Sequence, residues 1–274
     1  MSAPQLTDPA ALARYRARAR RAPELFLHEL VADEVQDRLI EVNRAFTDVA
    51  VVTAFPQVWQ DRLPGARMLA EGEVLDLAPG SQDLVIHALS LHWANDPVGQ
   101  IIQCARALRP DGLFLGALFG GQTLAELRAV LAEAEAAVSG GLSPRVLPMG
   151  EIRDLGALLQ RAGFALPVAD SLTQRVSYRD ALHLMQDLRA MGEGNALAGR
   201  LRRFTGRGVL AQAAALYAAH YPEADGRIRA TFELVFLTGW KPHDSQQKPL
   251  RPGSAAHRLA EALNVDEGVL PQGD

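Results

Sequence analysis

Between residues 48 and 170 short apolar runs alternate with stretches whose apolar side chains fall on one helical face. Residues 48–55 (DVAVVTAF) read as a buried strand, and Pro56 is placed to open a helix through Leu63. Residues 83–88 (DLVIHA) read as a second strand. Asp96 and Pro97 then start a helix with Ile101, Ile102, Ala105 and Leu108 on one face, stopped by Pro110, Asp111 and Gly112. Residues 112–119 (GLFLGALF) form a third strand. Thr123 and Glu126 make a capping box for a helix that turns Leu124, Leu127, Val130, Leu131 and Val138 inward. A helix over residues 151–162 closes at Gly163 and leads to a strand near 164–169. The rhythm then breaks: residues 180–191 and 207–219 are amphipathic helices, and 231–239 (TFELVFLTG) is a late strand expected to pair antiparallel at the sheet edge. Repeated βα units followed by one separate strand imply a mostly parallel sheet covered by helices.

Ahead of these units, Asp8 and Pro9 signal a helix start, and that helix is expected to continue toward Leu25 and Leu30. Its arginines, Arg14, Arg16, Arg18, Arg20 and Arg21, sit in an Ala-rich stretch with the composition of a mitochondrial presequence, but read better as a solvated helix face. Pro242, Pro249, Pro252 and Gly253 make the C-terminal part an extended tail. A formal net charge of -4 gives no general attraction to nucleic acid, which needs a clustered basic surface. Cys104 is the single cysteine, so neither an intrachain disulfide nor a Cys-rich zinc site can form. The most apolar stretch, residues 74–91, is broken by Asp76, Asp83 and His87, which excludes it as a membrane span. A soluble protein is expected.

Residues 83–96 (DLVIHALSLHWAND) and 106–119 (RALRPDGLFLGALF) resemble the fourth and fifth strands of class I S-adenosylmethionine-dependent methyltransferases. Residues 120–128 (GGQTLAELR), 140–148 (GGLSPRVLP), 154–164 (DLGALLQRAGF), 187–195 (DLRAMGEGN) and 239–249 (GWKPHDSQQKP) resemble a narrower family, the bacterial relatives of the complex I assembly arginine hydroxylase. The resemblance runs from about residue 22 to 263. It implies a Rossmann-like α/β methyltransferase fold over residues 36–243, with an N-terminal helical segment over 1–35, a helical insertion at about 179–222 and a tail over 244–274. It also implies S-adenosylmethionine as cofactor, a NADH dehydrogenase subunit as partner to be modified or chaperoned, and the bacterial cytoplasm rather than the mitochondrial matrix. Two other readings of the same fold are an active methyltransferase on a small carboxylate or carrier-bound acyl group, and a non-catalytic scaffold.

Two departures bear on the cofactor. Methyltransferases place a glycine-rich loop after the first strand, where positive φ lets backbone amides approach the ligand. The corresponding residues here are Thr53, Ala54, Phe55 and Pro56. Left-handed geometry at each non-glycine costs roughly 1–2 kcal/mol, and Phe55 adds bulk. Between Phe55 and Asp83 there is also too little chain for the two helices and two strands of the family, since one βαβ unit takes about 30 residues; one unit is expected to be shortened or missing. The cofactor-side candidates are Thr53, Ala54, Phe55, Glu71 and Leu89, with Asp76 as a second acid.

His87, His92 and Trp93 lie at and after the strand end where such sheets meet ligands, and are the catalytic candidates. His92 and Asp96 are spaced to pair; the plainer alternative has Trp93 in the core and His92 on a loop carbonyl. One His/Asp pair is too few groups for a metal. Ser90, Trp240, His243, Ser245 and Gln246 are candidates for substrate or partner contact, the last four on a loop after the final strand. Met185, Leu188 and Met191 read as core, Gly192 and Gly194 as helix-end residues, and Thr123 as a cap rather than a nucleophile.

Overall fold

The computed structural model describes residues 5–247; those up to Pro242 belong to one compact unit, and His243 opens a second. In the first unit the order is α1 (Pro9–Ala19), α2 (Phe26–Val42), β1 (Val49–Thr53), β2 (Arg67–Leu69), β3 (Gln82–Ala88), α3 (Pro97–Ala107), β4 (Leu108–Phe119), α4 (Ala125–Ser139), α5 (Ile152–Arg161), β5 (Ala165–Tyr178), α6 (Ala181–Ala190), α7 (Arg207–His220) and β6 (Ile228–Trp240). The six strands form one sheet ordered β2-β1-β3-β4-β6-β5. β2, β1, β3 and β4 are mutually parallel, whereas β6 runs antiparallel to both β4 and β5. The late strand thus pairs antiparallel as expected, one position in from the edge that β5 forms.

Apolar residues bury both faces. α2, α4, α6 and α7 supply Val31, Val130, Leu184 and Ala213 to the layer against Val51, Ile86 and Leu115. α3 and α5 cover the other face, where Ile101 and Leu159 meet Val52, Val85 and Phe114. Alternating strand residues therefore serve two cores, as a sheet buried on both sides requires.

Several local expectations change. The helix predicted after Pro56 is a single 3-10 turn, Pro56–Val58, because Pro64 and Gly65 end the segment before a helix can extend. Only that turn and the three-residue β2 lie between β1 and β3, so the missing unit is a helix and a strand. The first helix stops at Ala19, and α2 runs without interruption through residue 35, so no boundary falls there. Asp8 accepts the Ala11 N–H and Asp96 that of Gly99, both as predicted.

Thr123 and Glu126 do not form a capping box; the residue that precedes α4 is Leu124, with φ 55° and no side-chain cap. Both side chains reach β6 instead. The Thr123 hydroxyl donates to the Glu233 carbonyl at 3.1 Å and accepts the Glu233 N–H at 3.0 Å, and Glu126 accepts the Thr231 hydroxyl. Thr123→Val keeps the shape but strands the buried Glu233 N–H, at about 1–3 kcal/mol, while the Glu233 carbonyl keeps the Gly120 N–H at 2.8 Å. Urea denaturation checks the loss, and an unchanged midpoint contradicts the role assigned to this hydroxyl.

Candidate functional site

Thr53, Ala88 and Ala117 stand abreast at the carboxyl end of β1, β3 and β4. Open α/β sheets bind ligands at this end, where strand order reverses, here between β1 and β3. After β1, none of the residues 53–56 takes a positive φ. The Thr53 hydroxyl accepts the Phe55 N–H at 3.1 Å, and the Ala54 carbonyl accepts from Arg20 Nε at 3.0 Å. Phe55 is fully buried, its ring edge-on to His28 with centroids 4.7 Å apart. An aromatic side chain thus fills the place where a glycine-rich loop would open.

The charges at this edge gather on Arg16, which is 1% exposed and so departs from the solvated face expected of it. Ala11, Arg16 and Ala19 are the buried residues of α1, with Leu12 half-buried beside them, whereas Arg14, Arg18, Arg20 and Arg21 are exposed. Arg16 Nη2 lies 2.8 Å from Glu193 Oε1 and donates to the Leu89 carbonyl at 3.2 Å. Nη1 donates to the Met191 carbonyl at 2.8 Å, and Nε sits 3.2 Å from Glu71 Oε1. The guanidinium carbon is 5.7 Å from the centre of the Phe55 ring. Leu89, in left-handed geometry at φ 48°, turns its carbonyl toward this charge. Gly192, with φ 76°, does double duty, since a Cβ there would come within 2.7 Å of Arg16 Cδ.

Glu193 connects this cluster to the predicted catalytic pair. Its Oε2 accepts from Trp93 Nε1 at 2.7 Å and from His92 Nε2 at 3.2 Å. Burial favours the neutral acid, but the charge of Arg16 and the hydrogen bonds from His92 and Trp93 outweigh it and hold the carboxyl at about 2. His92 therefore pairs with Glu193 and not with Asp96, which caps α3.

His87, the third catalytic candidate, is fully buried inside the fold. Its Nε2 donates to Gln100 Oε1 at 2.9 Å, and Nδ1 accepts the Ser90 hydroxyl at 3.2 Å. Burial lowers its pKa to about 4, so the ring is neutral near pH 7. Gln100 passes the bond on to the Gly72 carbonyl at 2.9 Å. This chain fixes the loop that carries Glu71, a supporting role instead of a reacting one.

Two cavities meet at the edge. One, about 280 Å³, is lined by Arg16, Glu71, Gly72, Ser90, Trp93 and Gln100 among others. The other, about 210 Å³, is mainly apolar, with Trp93, Phe119, Leu127, Met149, Met185, Leu188 and Phe232 around Glu193. Trp93 divides them. Met185 and Leu188, read as plain core, are walls of the second cavity. Trp240 is elsewhere: it pairs with Leu113, at the amino end of β4. In the second unit, His243 Nδ1 lies 2.7 Å from the Ser245 hydroxyl and the His243 N–H bonds Gln246, a local turn.

The residues fit S-adenosylmethionine in part. Glu71 follows β2 and keeps one buried oxygen, Oε2, without a hydrogen-bond partner beside the first cavity, where it would accept ribose hydroxyls. The methionine side does not fit, because Phe55 and the Arg16 guanidinium fill it. Arg16, Glu193, His28 and Gln100 were not singled out from sequence. Only Glu193, an acid flanked by two glycines, carried a local signal.

A family model described as a methyltransferase domain matches residues 35–116. The arginine-hydroxylase NDUFAF5 of Danio rerio is 39% identical over 267 residues, covering 88% of this chain and 83% of that protein. The Homo sapiens protein of that name is 39% identical over 214 residues, of which this chain spans 61%. A malonyl-[acyl-carrier protein] O-methyltransferase of Laribacter hongkongensis is 37% identical over 69% of this chain and 61% of that protein. A crystal structure of a methyltransferase from Bacillus halodurans aligns with a TM-score of 0.47 and 13% identity, over 76% of this chain and 98% of that one. On the match to the Danio rerio protein, the chain belongs to the NDUFAF5 arginine-hydroxylase family, within the class I S-adenosylmethionine-dependent methyltransferase superfamily.

Proposed function

We propose that this chain acts in the assembly of respiratory complex I, by engaging a NADH dehydrogenase subunit and modifying or chaperoning it. The observation that carries the reading is the 39% identity to an arginine hydroxylase over 83% of its length. The edge built by Arg16, Glu71, Glu193, His92 and Trp93 is the site we assign to that engagement, and the cytoplasm of a bacterium is the compartment. Among the described residues no helix is long and apolar enough to cross a membrane. Deleting the gene in its native cell is expected to lower assembled complex I on native gels or to change the mass of one subunit. Intact assembly with unchanged subunit masses overturns the reading.

A second reading, methyl transfer from S-adenosylmethionine, draws support from the unpartnered Glu71 oxygen beside a cavity. It expects micromolar heat when the chain is titrated with the cofactor, and about 2.7 kcal/mol of added stability at 100 times the dissociation constant. Silence in both removes it and leaves the assembly role.

A further inference from the structure

A third cavity, about 450 Å³, adjoins the apolar one and differs from it in charge. Arg14, Arg145, Arg200, Arg202 and Arg203 line it, and none of its lining residues is an acid. Among the described residues two acids answer these cations. Asp8 lies 2.8 Å from Arg200 and 3.6 Å from Arg202, and Glu135 holds Arg145 at 2.5 Å. Arg14 and Arg203 are exposed and, among the described residues, make no ion pair. The surplus of positive charge in one concave place suits an anion.

The two cavities share a wall. Arg145, Asn195 and Thr205 line both, and at this neck Arg145 Nη1 donates to the Thr205 hydroxyl at 2.7 Å. On the apolar side stand Phe119, Leu127, Leu131, Met149, Met185 and Phe232, while the Thr123 hydroxyl is engaged by β6 and Glu193 by Arg16. Such a space gains from hydrocarbon and offers an anionic head only the repulsion of Glu193. Arg189, exposed and also lining the apolar cavity, adds to the positive field outside.

We propose that the two cavities together bind a small amphiphile, an acyl chain with an anionic head. The chain fills the apolar cavity past Thr205, and a carboxylate or phosphate head stays with Arg14 and Arg203, with Arg145 at the neck. The site stands whether or not the assembly role does.

Calorimetric titration of the full chain with hexanoate, octanoate, octyl phosphate and octanol, each below its micellar concentration, tests the site. Octanoate is expected to bind about tenfold more tightly than hexanoate, from the burial of two further methylenes. Octanol should bind at least tenfold more weakly than octanoate. Octyl phosphate separates the two heads: the tighter of the two eight-carbon anions names the head, and either order supports the site. Arg14→Glu with Arg203→Glu, both on the surface, is expected to weaken octanoate at least tenfold and leave octanol unchanged. Met185→Trp fills the apolar cavity and is expected to abolish octanoate binding; should it fail to fold, the charge-reversed variant and octanol decide. No binding of either eight-carbon anion, equal binding of octanol, affinity independent of chain length, or full affinity in the charge-reversed or the folded Met185→Trp variant overturns the proposal. Because the titration uses purified chain, its outcome is separate from the level of complex I in a deletion strain.

Discussion

Arg16→Met is expected to destabilise the fold by about 3–5 kcal/mol, the cost of leaving buried carboxylates without their cation. The methionine stem preserves most of the packing, so the loss reports the charge. Glu71 and Glu193 would lose the guanidinium they share, and the Leu89 and Met191 carbonyls would lose a donor. Arg14→Met and Arg18→Met, on the exposed face of the same helix, should each stay within about 0.5 kcal/mol of wild type. Urea denaturation of the three variants decides the matter, and equal small effects would put Arg16 back on the surface.

The second large effect is a loss of stability in mild acid. His28 is buried beside Phe55; burial first, and the charge of Arg16 next, lower its pKa from 6.5 to about 3. Burial lowers that of His87 to about 4. In the unfolded chain both take up a proton near pH 6.5, whereas the folded chain resists. Below 6.5 the unfolded state therefore binds more protons, and stability falls as pH falls. By pH 5 each contributes a loss of about 2 kcal/mol, at about 1.4 kcal/mol per pH unit. Glu193 acts lower: its depressed pKa gives stability that is present above about 4.5 and lost as pH falls toward 2. Urea midpoints between pH 7.5 and 4.5 measure the slope, which His28→Phe should reduce. A flat profile from pH 7 to 5 would mean that these rings are open to water.

How much of this could be read from the chain depends on range. The strands at β1, β3 and β4 were legible because unbroken β-branched runs between turn signals have few other solutions, and α6 and α7 because their apolar spacing is regular. The stop after Pro56 was harder, since a helix start looks alike whether three or ten residues follow. Thr123 and Glu126 satisfy the capping pattern locally, yet tertiary partners on β6 outbid it. Arg16 shows the limit most sharply. Leu12, Arg16 and Ala19 have inward spacing, but a charge at such a position reads as solvated unless its acids are known, and they lie 55 and 177 residues further on, at Glu71 and Glu193. The loss of the glycine loop, by contrast, was visible at once in Thr53 to Pro56. What sequence could not give was the occupant of the space, a ring and a guanidinium.

Arg16 and Glu193 form one electrostatic unit closing the carboxyl edge of the sheet. A double-mutant cycle measures it: urea denaturation of the wild type, Arg16→Met, Glu193→Gln and the double variant at pH 7.5. A coupling of about 1–3 kcal/mol, with the double variant more stable than the sum of single losses allows, is the predicted result. Losses that simply add would contradict it.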